Sequence, residues 1–181
     1  MSDLDFIKDK QLRSTLENSI EYIYALFEES KNGEQKELYK EETYRVIILY
    51  VISAIEAVLM YFYKERQEKI EYIDYRFVQY LSENYTHIKK KDFPVVIAVQ
   101  EKIVKKERDI SLRDLVVLFR DKKRIKEKTA KDILELNDLR NTFHFSKPRT
   151  KNCDLKSVEA ALNLLVYTLE GAPKALVINT K

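Results

Sequence analysis

The sequence predicts an all-α fold, an up-and-down bundle of about five to seven helices. The chain of 181 residues holds only 2 glycines and 3 prolines, whereas an average protein contains about 7% glycine. Turn-rich β sandwiches and phosphate-binding glycine loops need more glycine than this. Lysine, glutamate, leucine and isoleucine are abundant instead, and they are compatible with long helices. Apolar residues also recur at spacings of three and four, as in amphipathic helices.

The apolar spacing places the helices in a single domain over residues 1–171, followed by a tail over 172–181. Gly171 and Pro173 predict the end of the last helix. The predicted helices cover residues 3–30, 35–66, 68–85, 94–107, 111–121, 130–146 and 155–170.

Three helix starts are predicted by a serine or threonine that precedes an aspartate by three residues, a pattern that resembles a capping box. These pairs are Ser2 with Asp5, Ser111 with Asp114, and Thr129 with Asp132. The run over 95–99 is β-branched and is also compatible with a strand. No partner strand is evident in the sequence, so we predict a helix there, opened by Pro94.

The helix over 35–66 is apolar almost all round between Val46 and Tyr63. A membrane span of about 18–20 residues would have this length. Glu56 lies near its centre, and a central acidic group costs about 2.5–3.5 kcal/mol in a bilayer. We therefore interpret the segment as the central helix of a bundle, with no membrane partner.

Charge is unevenly distributed along the chain. The net charge of +3 is the sum of −6 over residues 1–85, +8 over 86–131 and +1 over 132–181. A basic middle segment is compatible with a nucleic-acid partner. The alternative is a solvated lysine- and glutamate-rich surface.

A polar stripe on the helix over 130–146 is the most informative feature. At about 100° per residue, Asn137, Arg140, Asn141 and His144 fall within an arc of about 100°, with leucine and phenylalanine on both flanks. Arginine offers a planar donor fork that suits phosphate, and histidine can transfer a proton near neutral pH. The stripe is therefore a candidate phosphodiester site. The alternatives are a structural network or an interface with a second copy.

The segment Leu139-Arg140-Asn141-Thr142-Phe143-His144 resembles the motif of the HEPN superfamily, in which a histidine follows an arginine and a polar residue. The resemblance extends to the preceding short helix with its basic turn and to the apolar helix that carries Glu56. It implies an antiparallel bundle that dimerises, so that two copies of the motif helix line one cleft. Many members are metal-independent ribonucleases that act as toxins or in antiviral defence, and others bind nucleotides or partner proteins without catalysis.

The resemblance assigns roles to individual residues. His144 would assist attack of the RNA 2′-hydroxyl on the neighbouring phosphate, while Arg140 and Asn141 would bind that phosphate. Asn137 is a further candidate for phosphate or RNA binding. Only three residues separate Arg140 from His144, one fewer than is usual in the family, and this contraction favours the non-catalytic alternative.

The remaining candidates are weaker. Glu56 can orient Arg140 or His144 across the bundle, or form a purely structural pair. Two histidines without metal-ligand spacing predict no metal, and we expect no cofactor. Cys153 has no nearby histidine in the sequence and is expected to be inert.

Three functions follow from these residues. The first is a homodimeric metal-independent endoribonuclease of the toxin or defence type. The second is a non-catalytic module that binds RNA, a nucleotide or a partner protein such as an antitoxin. The third is a helical dimerisation protein without a ligand site. The first ten residues lack the basic-then-apolar order of a signal peptide, which predicts a cytoplasmic protein.

Overall fold

The computed structural model describes residues 4–31, 36–80, 86–87, 90–94, 96–143 and 153–177. Two compact units are present: a helical unit, residues 1–67 with 111–181, and a hairpin unit, residues 68–110. The helices are α1 Lys10–Ser30, α2 Glu37–Glu65, α3 Leu112–Asp121, α4 Glu127–Arg140 and α5 Leu155–Val177, and the strands are β1 Glu71–Tyr80, β2 Thr86–His87, β3 Lys90–Pro94 and β4 Val96–Val104. The protein is thus mostly helical, with a small β component.

Helix α2 is the centre of the helical unit, since α1, α3, α4 and α5 all pack against it. Its fully buried side chains are Ile47, Ile48, Val51, Ile52, Ile55 and Val58. Each such aliphatic side chain contributes about 1.5–3 kcal/mol when it leaves water. Helix α2 is also long and apolar enough to cross a membrane, but 61% of its most apolar stretch is buried against the rest of the chain. The core of the bundle explains its apolar character.

Helix α1 begins later than the sequence indicated. Its first residue is Lys10, and the Asp9 side chain caps it by accepting from the backbone N–H groups of Gln11 and Leu12. The expected start at residue 3 is wrong because Leu4 and Ile7 are buried in a non-helical segment that precedes the cap. Ser2 lies outside the described residues.

The expected helices over 68–85 and 94–107 are wrong, and the prediction of an all-α fold fails there. Strands β1 and β4 pair antiparallel, from Glu71 opposite Val104 to Tyr80 opposite Val96, with a bulge between Phe77 and Gln79. β-branched and aromatic residues favour strands, and each strand supplies the partner that the other needs. The spacing of Ile70, Ile73 and Phe77 imitated a helical stripe.

The capping box of Ser111 and Asp114 is confirmed at the start of α3. Helix α4 instead starts at Glu127 after the N-cap Lys126, so the expected cap at Thr129 is wrong, and Thr129 is buried within the helix.

Helix α5 continues to Val177, beyond the expected end at Gly171. No described glycine adopts a positive φ, so Gly171 does not form the left-handed cap that was expected. Residues 178–181 of the expected tail lie outside the described part of the chain.

Helix α3 ends in a Schellman motif with an unusual residue in the left-handed position. The N–H of Lys123 donates to the carbonyl of Arg120, and the N–H of Arg124 donates to that of Phe119, at 2.7 and 2.8 Å. Glycine is usual at the position of Lys123, whose φ is 55°. The lysine therefore stores strain in this turn.

We expect Lys123→Gly to raise the free energy of unfolding by about 0.5–1 kcal/mol, because glycine adopts positive φ without a Cβ clash. Urea denaturation measures the change. Lys122→Gly is the matched control, because φ at Lys122 is −80°; there glycine only adds unfolded-state entropy and lowers stability. Equal destabilisation by both variants would contradict the strain at Lys123.

Candidate functional site

Arg140 is the last residue of α4 and faces Glu56 of the central helix. Its Nη1 atom lies 3.7 Å from Glu56 Oε2, and each of the two side chains is 33% exposed. A cation at the carboxyl end of a helix also interacts favourably with the helix dipole. The guanidinium is therefore held between two helices while remaining accessible to solvent.

Asn137 lies one turn before Arg140 and contacts the same guanidinium nitrogen. Arg140 Nη1 donates to Asn137 Oδ1 at 3.5 Å, a long and weak hydrogen bond. Among the described residues, Nε and Nη2 of Arg140 donate to no other group. Together, Nε and Nη2 form one planar edge of the guanidinium, which can donate two hydrogen bonds to an anion.

Asn141 is the C-cap of α4, and its N–H donates to the carbonyls of Asn137 and Leu139. The chain continues as a tight turn, in which the N–H of Phe143 donates to the carbonyl of Arg140 at 3.0 Å. The expected helix to residue 146 is therefore wrong, since α4 ends at Arg140 and residues 142 and 143 are not helical. His144 lies outside the described residues. The structure thus brings together Arg140, Asn137 and Glu56, with Asn141 adjacent.

Sequence reasoning missed Arg45, which is only 6% exposed. It forms an ion pair with Glu41, one turn earlier on α2. Its Cζ atom lies 5.5 Å from the centre of the Phe143 ring, a cation–π distance. Its Nε and Nη1 atoms are buried without a hydrogen-bond partner in the described part of the chain.

Arg45 and Glu56 project from the same face of α2. They are eleven residues apart, about three turns and about 16 Å along the axis. Glu56 contacts Arg140 and Arg45 contacts Phe143, so α2 contacts both the end of α4 and the turn that follows. The sequence did contain a signal for Arg45: it lies four residues after Glu41, at ion-pair spacing on a helix, and at the edge of an apolar run.

The thiol of Cys153 lies close to this arginine. Burial raises the pKa of Cys153 to about 11, although the positive charge of Arg45 partly opposes this shift. Because the thiolate is the nucleophilic form, Cys153 is not a reactive cysteine at neutral pH. This agrees with the sequence-based expectation that it is inert.

A groove of about 900 Å³ lies along α4 and α5, with Lys126, Leu136, Leu139, Leu164 and Tyr167 among its lining residues. A second cavity of about 450 Å³ adjoins the turn between α3 and α4, where Arg120, Lys123, Arg124 and Lys126 line it. Lys126 and Tyr167 line both. Arg120 is paired with Asp121 and Glu127, and the hydrogen bond and charge of Asp121 raise the pKa of its guanidinium.

No group of three or more histidine, cysteine or acidic side chains that could hold a metal occurs among the residues that the structure describes. Comparisons of the chain with family models, with curated proteins and with solved structures return no match. The functional argument therefore depends on the residues and their geometry.

We expect Cys153 to resist alkylation by iodoacetamide at pH 8 in the folded protein and to react once the protein is unfolded, because burial keeps the thiol protonated. The raised pKa also has a consequence for stability. Unfolding lowers the pKa from about 11 towards 9.0, so stability is unaffected below pH 9 and falls between pH 9 and 11.

Mass spectrometry of the labelled protein and urea denaturation across this pH range measure both effects. Cys153→Ala is the control that should lose the contribution of this thiol to the pH dependence. Rapid labelling of the folded chain would contradict the burial of the thiol.

Proposed function

We propose that this protein is a homodimeric HEPN-like RNA-cleaving protein of the toxin or defence type, which acts without a metal. The observation that carries the proposal is the accessible, loosely held guanidinium of Arg140. Its polar contacts with described residues, Asn137 and Glu56, are 3.5 and 3.7 Å long. A phosphate with two acceptor oxygens offers Arg140 a better partner than either of them.

Accessibility distinguishes this site from a purely structural network. A closed network would bury Arg140 and satisfy its donors, as buried polar groups require. Instead, Arg140 and Glu56 are each one-third exposed. The stripe at the end of α4 therefore has the character of a ligand site, which argues against a dimerisation protein without one.

Three residues take part in the proposed reaction, each with a different role. Arg140 binds the phosphate and stabilises the charge that develops on it, and Asn141 donates a further hydrogen bond to it. His144 takes the proton of the 2′-hydroxyl as the oxygen attacks phosphorus and the bond from phosphorus to the 5′-oxygen breaks. The products are a 2′,3′-cyclic phosphate and a 5′-hydroxyl, and the proton passes to the leaving oxygen.

A non-catalytic RNA- or nucleotide-binding module is the second candidate, and one observation favours it. Helix α4 ends at Arg140, so the continuous helix that would place His144 one turn beyond the arginine is interrupted. The basic residues that line the cavity at the turn between α3 and α4 would serve RNA binding in either case. Binding without cleavage would distinguish this candidate.

We expect the chain to cleave RNA in the presence of EDTA, and Arg140→Ala and His144→Ala each to lower the rate by about 100-fold or more, as is typical when a charge-stabilising donor or a general acid–base group is removed. Gel analysis of RNA, with detection of the cyclic phosphate end, measures this. Arg113→Ala is the matched control, because Arg113 is an exposed arginine that pairs with Asp138 at 3.4 Å.

Cleavage that is equal in the wild type and both variants would overturn the enzyme proposal. RNA binding without cleavage, if weakened by Arg140→Ala, would select the second candidate. Circular dichroism and size-exclusion chromatography of each variant exclude loss of folding as the cause.

We expect Glu56→Gln to tighten RNA binding about 5-fold at low salt, because it removes a negative charge about 4 Å from the phosphate-binding guanidinium, an interaction of about 1 kcal/mol in water. Fluorescence anisotropy with labelled RNA measures the affinity. Asp138→Asn, which neutralises the carboxylate beside Arg113, should leave the affinity nearly unchanged. Equal affinity of Glu56→Gln and the wild type would place the phosphate elsewhere.

A further inference from the structure

Strands β1 and β4 expose many of their apolar side chains. No side chain over residues 71–79 of β1 or in β4 is buried. Exposed fractions reach 66% for Tyr75 and 51% for Ile73 on β1, and 46% for Val99 on β4. Exposed apolar patches of this kind mark interaction surfaces.

A two-stranded antiparallel sheet is marginally stable in water, and a third strand or a packed face is needed for independent stability. Within the described part of the chain, β1 pairs only with β4. No described strand therefore covers the outer edge of β1 or β4, and we call these edges open. An open apolar edge also promotes uncontrolled association unless a defined partner covers it.

The backbone pattern shows which residues face the open edge of β1. Lys105 N–H donates to the carbonyl of Ile70 at 2.8 Å, so these opposed residues form a hydrogen-bonded pair. Since such pairs alternate along an antiparallel ladder, Asp74 and Arg76 direct their backbone groups towards β4. Ile73 and Tyr75 direct theirs towards the open edge. Tyr75 N–H accordingly meets the Asp74 carboxylate at 2.9 Å.

Charge selects one register for pairing β1 with the same strand of a second copy about a two-fold axis. With Tyr75 on the axis, Asp74 lies opposite Arg76 of the second copy, and the reverse pair forms by symmetry. An axis at Asp74 or at Arg76 would instead place like charges opposite each other, which is destabilising. With Tyr75 on the axis, the outward-facing backbone groups also meet as a hydrogen-bonded pair.

The open edge of β4 offers no such match. Its charged residues are Glu101 and Lys102, which are adjacent, so their backbone groups face opposite edges. A two-fold pairing cannot place them opposite each other. Within the hairpin, Asp74 lies directly opposite Glu101, and Arg76 of the same strand lies 3.3 Å from Glu101. Pairing about Tyr75 would place Arg76 between Glu101 of its own chain and Asp74 of the second copy.

We propose that β1 of one chain pairs with β1 of a second copy about Tyr75, which forms a four-stranded antiparallel sheet in the order β4, β1, β1, β4. The Tyr75 N–H exchanges its local bond to Asp74 for the Tyr75 carbonyl of the second copy. Asp74 is then available to Arg76 of that copy. This interface forms the homodimer of the proposed function through β1 rather than through α4, and it does not depend on RNA cleavage.

A charge-swap series on the full chain tests the interface. We expect the wild type to be a dimer at about 100 µM in sedimentation equilibrium, a concentration that populates any dimer with a micromolar Kd. Asp74→Arg and Arg76→Asp should each raise the dimer Kd about 10-fold, because two symmetric ion pairs become repulsive. The double variant should restore the wild-type Kd to within about 3-fold, because the opposite charges meet again.

A matched pair of proline variants separates the two edges. Tyr75→Pro removes an N–H that faces the open edge of β1, and Gln100→Pro removes the equivalent N–H on β4; both are tolerated positions within the hairpin itself. Tyr75→Pro should give a monomer, whereas Gln100→Pro should remain a dimer.

Two results would overturn the proposal. One is a monomeric wild type, including a monomer that binds phosphatidylcholine–phosphatidylserine vesicles through the hairpin. The other is a dimer that Tyr75→Pro and the charge variants leave intact. Circular dichroism of each variant confirms that the helical unit is folded.

Discussion

Burial of most of the apolar side chains of α2 is the constraint on which the helical unit depends. Four helices pack against α2 and bury most of its aliphatic side chains over more than three turns, whereas Val46 and Leu49 remain exposed on one face. The packing constrains the charged residues of α2, because several of them lie close to the core. An ionic group on such a helix must have a partner. Arg45 has Glu41 and the Phe143 ring, and Glu56 has Arg140.

These two requirements explain how the core positions the candidate site. Glu56 contacts the last residue of α4, and Arg45 contacts the turn three residues later. The segment that leads to His144 is therefore attached to the central helix at two points about 16 Å apart along its axis. A change at Arg45 would alter the site through Phe143, although Arg45 itself is too deeply buried to bind RNA.

Local sequence signals account for much of the helical unit and fail for the hairpin. The apolar stripe of α2 and the capping box at Ser111 are local, and both were predicted. The pairing of β1 with β4 joins residues that are 16 to 33 positions apart, from Tyr80 opposite Val96 to Glu71 opposite Val104, and no local period reveals it. The site was predictable to the same degree: Arg140, Asn137 and Glu56 stood out in the sequence, whereas the contact between Arg45 and Phe143 depends on tertiary packing.

The end of α4 affects the candidate site because an arginine at a helix terminus has fewer neighbouring side chains than one within the helix. Mid-helix, Arg140 would have neighbours on both sides, but at the terminus its polar partners among the described residues are Asn137 and Glu56. An ion pair near 4 Å is worth about 1 kcal/mol in water and at most about 4 kcal/mol near a protein surface. A bidentate phosphate adds a second charge-assisted bond to the same fork. In the function that we propose, a phosphate would therefore compete with the Glu56 carboxylate for this guanidinium.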